Sequence, residues 1–529
     1  MARLGAGPGP LLARPGAEPE TGLDRGLQEI TTSSVEAYRY YAEGVHLHER
    51  FLEPQAIPLL EKAIEIDPKF AMALAKLAVV SGNLGQSDKR NEYARRALEN
   101  IDRLTTRERY YIEGYFYSLR PETWARGIEA YEQGLALHPE HQASRHNLAV
   151  QYMDLERFDK AVEHYEELRR RGVSFPSTYG NLAESYIRLG NVARGREVIE
   201  DFLRRHPDSG PGHENLGETL IAEGRLPEAL AAYDRAEALG FVNSQVRQGR
   251  WIAAVLQERW TEADAAAEQL RATPDPIQKW LAGMVTASTR LAHGQTGQAL
   301  DALDAAARVP GTAIINQVVP RLMAARVLQH LGRPALALSQ IQTAHQLAGG
   351  RPIEFDASRS LAVVQAAAGR RADAEATLAA LTARAADLPP GAFQHRELRW
   401  ARGEVALAAG DSAVAIAELT AAADGLAPRG PVHVPSMNIE LWFSLASAYL
   451  AAGRAAEAAV WLERITAMGH ERVYAFVPYV RSHFLLAQIT ERRGDTARAR
   501  QLYARFVEFW GDGEIDRARI AEARQKLAR

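Results

Sequence analysis

Three stretches decide the fold: ASRHNLAVQYMDLERFDKAVEHYEEL (143–168), PSTYGNLAESYIRLGNVARGREVIEDF (176–202) and GPGHENLGETLIAEGRLPEALAAYDRA (210–236). They align without a gap. Leu148, Leu182 and Leu216 are 34 residues apart. Ala149, Ala183 and Gly217 keep the same step, as do Ala161, Gly195 and Ala229, and Tyr165, Ile199 and Tyr233. Each stretch carries apolar residues at helical spacing on both sides of a short break, so each reads as two antiparallel helices, A and B. A small residue in the middle of A lets B approach closely. A bulky residue one turn into B fills the groove between pairs. Proline after B ends the helix, because it lacks an N–H and clashes with the preceding turn. Pro68, Pro139 and Pro207 occupy that place.

The pattern runs outward in both directions. AYRYYAEGVHLHERFLEPQAIPLLEKAIEIDP (37–68) keeps Gly44, Leu47, Ala56, Leu60, Ala63 and Pro68 in phase. A second pair, 71–101, keeps Leu77, Ala78 and Ala97, and a third, 107–139, keeps Gly114, Tyr131 and Gly134. Beyond residue 240 the match loosens, but a glycine recurs with a small residue five positions later. The pairs are Gly190/Gly195, Gly224/Ala229, Gly294/Ala299, Gly332/Ala337, Gly369/Ala374, Gly410/Ala415, Gly453/Ala458 and Gly494/Ala499. Such a glycine suits the left-handed conformation that ends helix A. The stretches 309–312, 388–391 and 427–435 are rich in Pro and Gly and read as loops between pairs. Trp251 stands where a small residue is expected. The expected architecture is all-α: about thirteen tandem antiparallel helix pairs forming a solenoid. A regular array is expected over 28–272 and a degenerate one over 273–512. A C-terminal capping helix over 513–529 packs on Tyr503, Phe506, Phe509 and Trp510.

Composition limits the function. The 529 residues are 47% hydrophobic and 24% charged, with a net charge of −3, which gives no clustered basic excess for nucleic acid. The absence of Cys excludes disulfides, thiolate nucleophiles and cysteine-bound zinc. No apolar run reaches membrane-spanning length. The run Leu11–Ala13 is too short for a signal-peptide core, so a cytoplasmic location is expected. Residues 1–27, crowded with Gly and Pro at their start, are expected to be disordered.

A 34-residue period with this content resembles the tetratricopeptide repeat. The resemblance implies a right-handed superhelix whose A helices line a concave, partner-binding side. LQEITTSSVEAYRYYAEG, EKAIEIDPKFAMALAKLAVV and LTTRERYYIEGYFYS, with the ending YARFVEFWGDGEIDRARIAEARQKL, are further similar to the repeat region of multidomain bacterial signalling proteins of acidobacterial type. In those, the repeats follow a serine/threonine kinase, a cyclase-like or a winged-helix domain. No kinase glycine loop, catalytic loop or recognition helix precedes residue 27. The resemblance therefore implies a sensor or docking half, detached from its output domain, with ligand sensing by the C-terminal half as a further alternative.

No P-loop, GxSxG or HExxH motif is present, so no enzyme activity, cofactor or metal is expected. His138, His141 and His146 are close in sequence but flank a turn at Pro139, and His46 and His48 fall on different helix faces. Glu197, Glu200 and Asp201 belong to a solvated face. The Tyr-rich runs of 38–41 and 110–117 read mainly as core. The promising feature is Asn147, Asn181 and Asn215, one per repeat, each preceding the helix-A Leu. An amide can donate to one backbone group and accept from another, so a ladder of them can hold an extended peptide. Lys76 takes the ladder place in the second repeat, and Glu184, Arg188 and Glu218 flank it. A protein or peptide partner of basic or neutral character is expected in this groove.

Overall fold

The computed structural model describes residues 32–49, 52–435 and 437–528; the N-terminal segment 1–27 lies outside them. Every regular element among the described residues is helical, and the 27 α-helices form thirteen A/B pairs and a terminal helix. The chain divides into two compact units. Unit 1 runs to Pro207 and takes in Leu388–Ala392; unit 2 is Asp208–Asp387 with Phe393–Arg529.

Unit 1 holds five pairs: α1 (Val35–Glu49) and α2 (Glu53–Ile66), α3 (Ala71–Asn83) and α4 (Ser87–Leu98), α5 (Thr106–Tyr117) and α6 (Trp124–Leu137), α7 (Gln142–Asp154) and α8 (Phe158–Arg170), α9 (Pro176–Arg188) and α10 (Val192–Arg205). The small residues of A do what their size suggests. A Cβ built on Gly114 of α5 would lie 2.4 Å from the Tyr131 ring of α6, so the two helices pack with no room for one. Ala56 and Leu60 of α2 pack with Leu77 and Val80 of α3, joining one pair to the next. The start of α5 is fixed by a capping box, in which the Thr105 hydroxyl accepts from the Glu108 N–H and the Glu108 carboxylate accepts from the Thr105 N–H. The substantial helix contacts within unit 1 run between chain neighbours and between successive A helices.

Unit 2 holds eight pairs: α11 (Gly210–Glu223) and α12 (Leu226–Ala238), α13 (Ser244–Leu256) and α14 (Trp260–Arg271), α15 (Pro276–Ala292) and α16 (Thr296–Ala307), α17 (Ile314–His330) and α18 (Pro334–Ala348), α19 (Glu354–Ala367) and α20 (Arg371–Ala386), α21 (Phe393–Ala408) and α22 (Ser412–Ala423), α23 (Asn438–Ala451) and α24 (Ala455–Thr466), α25 (Phe476–Arg492) and α26 (Thr496–Trp510). The terminal helix is α27 (Arg517–Ala528), and a 3-10 turn, His470–Tyr474, precedes α25. The pair cores are aliphatic, as in Ala325, Leu328, Ala337, Ile341 and Ala344 of α17 and α18. Unlike unit 1, unit 2 returns on itself: α25 packs against α15, and the 3-10 turn meets α13, α15 and α23.

The eight recurring glycines all have positive φ, from 66° at Gly332 to 87° at Gly494. In two A/B turns the same place holds a non-glycine residue, Glu156 at φ 57° and Glu258 at φ 58°. They lie 34 residues before Gly190 and 34 after Gly224. An L-residue is disfavoured there by about 1–2 kcal/mol.

The Trp251 misfit is accommodated by direction. Its ring is fully buried, its Nε1 donates to Thr289 Oγ1 of α15 at 3.0 Å, and it meets Tyr474 at 5.7 Å between centroids. Two of the C-terminal aromatics, Phe509 and Trp510, take part in the same return. Phe509 meets Trp260, Phe476 and Tyr479, and Trp510 Nε1 donates to the Leu291 carbonyl at 3.0 Å.

Candidate binding surface

In unit 1, Asn147 and Asn181 occupy the same place on α7 and α9, 4% and 6% exposed. Asn147 Nδ2 donates to the Tyr131 hydroxyl at 3.1 Å, and Asn181 Nδ2 to the Tyr165 hydroxyl at 3.0 Å. Each Tyr lies 16 residues earlier, on the preceding B helix. Both rings are fully buried, so their hydroxyls need a partner inside the fold. Burial holds the Tyr131 phenol well above its ordinary range. Sequence reading missed this bond, although its signal was present as a Tyr at a fixed offset before Asn. Asn215 belongs to unit 2 and is partly exposed; its carbonyl accepts from Thr219 Oγ1 at 2.8 Å. The residue 16 places before it is Ile199, which has no hydroxyl, so the same bond cannot form.

The other expected groove residues are distributed as follows. Glu184 is buried on α9, one turn from Asn181. Arg188, one turn further, lies 4.5 Å from the Phe158 ring and 3.9 Å from the Glu156 carboxylate. Lys76 on α3 is partly exposed, as are Val150 and Met153 on α7 and Glu218 on α11 in unit 2. Unit 1 therefore offers apolar and charged side chains on the A-helix face, while the side-chain N–H groups of Asn147 and Asn181 are engaged with the preceding repeat.

The histidines are structural. His146 Nδ1 lies 3.1 Å from Thr178 Oγ1, and its ring meets Tyr165 edge-on. Burial lowers its pKa to about 4. His141 Nδ1 lies 2.8 Å from Ser144 Oγ; burial, then Arg107, lowers it to about 4 as well. No group of three His, Cys, Asp or Glu that could hold a metal ion occurs among the described residues. His48 of α1 is fully buried with Nδ1 3.3 Å from Glu53, whose carboxylate also accepts from Asn83.

In unit 2, inner side chains of A helices meet one another. Arg326 of α17 donates to both oxygens of Glu404 on α21, at 2.9 and 3.0 Å, and its Nε lies 3.5 Å from Glu440 on α23. His330, one turn along α17, lies 3.2 Å from the same Glu440. Ser444 Oγ donates to Glu404 at 2.5 Å. Arg359 of α19 pairs with Glu397 of α21 at 3.0 Å, and both arginines lie over the fully buried Trp400. Burial would push the Glu440 carboxyl up, but His330 and Arg326 beside it hold it below its ordinary value. Sequence reading assigned none of these residues, because partners 38 to 114 positions apart leave no local pattern. The stretch 427–435 is tied in too: Gln248 of α13 donates to the His433 carbonyl at 2.8 Å, and the Gly430 N–H donates to the buried Glu471 at 3.2 Å.

An open apolar cleft of about 220 Å³ lies between α16, α17 and α18, lined by Leu300, Leu303, Ala324, Leu328 and Leu336 with Asp304 and Arg321. No described helix is long and apolar enough to cross a membrane.

Comparison with known families agrees with the helix pairs. Tetratricopeptide-repeat profiles match residues 59–90, 122–174, 181–240, 318–343 and 440–464, so tetratricopeptide repeats occur in both units. Comparison with curated proteins gives no match. Among solved structures the chain is similar to the APC/C hetero-tetramer Cut9-Hcn1, at 13% identity and a TM-score of 0.40, covering 94% of this chain and 86% of that one. It is also similar to the human IFIT1 dimer with PPP-AAAA, at 12% identity and a TM-score of 0.37, covering 92% and 94%. The type IV pilus biogenesis factor PilW matches over 45% of this chain and 94% of its own, at 16% identity and a TM-score of 0.26.

Proposed function

We propose that this chain is a non-catalytic scaffold of a bacterial signalling system, and that it holds a protein or peptide partner on the A-helix face of unit 1. Tetratricopeptide-repeat proteins work through protein partners, and that supports the class of function. The observation that favours unit 1 is the partial exposure of Lys76 on α3 and of Val150 and Met153 on α7, two A helices of the same unit. In unit 2 the A helices turn Arg326, Glu404 and Glu440 toward one another instead. The buried Asn147 and Asn181 serve in this reading by fixing the helix face, with the exposed neighbours making the contact.

The test places a photo-crosslinking residue at Val150 or Met153 and, as control, at the exposed B-helix position Glu163. Crosslinking in host extract is to yield one defined partner from the A-helix sites, lost on Lys76→Glu or Met153→Asp. Equal products from the B-helix control would sink the reading. The apolar cleft beside Leu336 is the one observation favouring small-ligand sensing. A thermal shift with a metabolite, abolished by Ala324→Trp, would carry that alternative.

A further inference from the structure

Unit 2 contains long-range ties that a repeat array does not need. In such an array each pair rests on its neighbours, and the angle between pairs follows from many small contacts. Here α17 is bound to three A helices further along the chain. Arg326 reaches α21 and α23, His330 reaches α23, and Arg481 of α25 donates to the His330 carbonyl at 3.1 Å while pairing with Asp516 at 2.8 Å. This cluster joins the middle pairs across their inner faces. Further along the chain, α25 and α26 meet α13, α14 and α15. There Ser288 Oγ donates to the Val473 carbonyl, Arg505 pairs with Glu258, Trp510 reaches the Leu291 carbonyl, and Glu514 accepts from the Gly297 N–H at 3.0 Å.

Two departures from the 34-residue pattern fall in this contact. Trp251 replaces a small residue and meets Tyr474. Glu258 stands in a left-handed position that glycine fills elsewhere, yet it pairs with Arg505 and lies 3.7 Å from Arg472. Both residues depart from the repeat and both are used by the return of α25 and α26. Partly buried ion pairs of this kind add little net stability, and their effect is to favour the arrangement of elements in which both partners meet.

We propose that the Arg326–Glu404–Glu440–His330 cluster is an electrostatic latch: it holds unit 2 closed, and loss of carboxylate charge at Glu404 and Glu440 opens the contact of α25 and α26 with α13–α15 while every helix pair stays folded. The closed state buries the inner face of α17, α19, α21 and α23 against itself. The open state exposes that face, with Arg359 and Trp400 on it.

The chain has no Cys, which makes a thiol probe clean. Ser288 is 2% exposed in the closed contact, and Ala344 is fully buried inside the α17/α18 pair. Maleimide labelling of Ser288→Cys and Ala344→Cys is measured in the full chain at pH 7, with and without Glu404→Gln plus Glu440→Gln. The latch predicts that the double change speeds labelling at residue 288 about tenfold or more, while residue 344 stays slow. Arg326→Gln, which removes the shared cation, is to give the same pair of rates. Unchanged labelling at 288 overturns the proposal. Equal acceleration at both sites overturns it too, since the charges would then hold the repeats themselves.

Discussion

Units 1 and 2 are built from one kind of helix pair and use their A helices differently. In unit 1 the substantial helix contacts stay between near neighbours, and Asn181 bonds to Tyr165 of the adjacent pair. In unit 2 the equivalent faces reach across several pairs, as Arg326 does to Glu404 and Glu440. The repeat therefore fixes how helices pair but leaves the side chains of the inner face to decide whether that face stays open or fills itself. A repeat match alone does not distinguish a groove from a closed turn.

The comparison can be broken most severely by acid. The folded state of unit 1 holds His146 neutral, with its pKa at about 4 against an ordinary 6.5. A depressed folded value means the unfolded chain binds the proton first. Its contribution is present above pH 6.5 and is lost as pH falls toward 4, to about 3 kcal/mol. Hydrogen exchange of α7 and α9 is expected to accelerate over that window. His146→Phe, which keeps the ring contacts with Tyr165, is expected to reduce the dependence and leave the share of His141, whose pKa is also lowered to about 4; a pH profile unchanged by that substitution would refute the assignment.

A smaller effect tests the polar wiring of unit 1. Asn181→Ala removes the hydrogen bond to the fully buried Tyr165 hydroxyl and is expected to cost about 1–3 kcal/mol in urea unfolding. Pairing it with Tyr165→Phe should recover most of the loss. No recovery would mean that Asn181 contributes through another contact.

The smallest effect sharpens the contrast between the units. Glu156→Gly relieves the backbone of a left-handed glutamate that lies 3.9 Å from Arg188, and it is expected to stabilise by about 0.5–1 kcal/mol. Glu258→Gly relieves the same backbone but also removes the partner of Arg505, so no gain is expected. Equal gains at the two sites, read as shifts in thermal midpoint, would show that the Arg505 pair contributes nothing.

Much of the fold was legible because it is local. The thirteen pairs, the glycine at the end of helix A and the small residue facing Tyr131 all follow from spacing within one repeat. The candidate surface was legible only as positions. That Asn147 and Asn181 sit on corresponding A helices followed from the period, but the use of their N–H groups depended on a hydroxyl from the neighbouring helix. The closure of unit 2 was not legible at all, since Arg505 and Glu258 are 247 residues apart. What the sequence did flag was the misfit at Trp251, and that residue marks where the closure begins.

That closure also sets an order of events during synthesis. The helix pairs α1–α10 can each form soon after they leave the ribosome, because the contacts between these helices are short in sequence. Trp251 and Glu258 must wait for Tyr474 and Arg505. At ordinary elongation rates the wait is on the order of 10–50 s. For that time α13 and α14 carry a large apolar ring and an uncompensated backbone strain. Chaperone dependence of this protein should therefore concentrate on α13–α15, and a chain truncated before α25 should be far more prone to aggregation than one ending at Pro207.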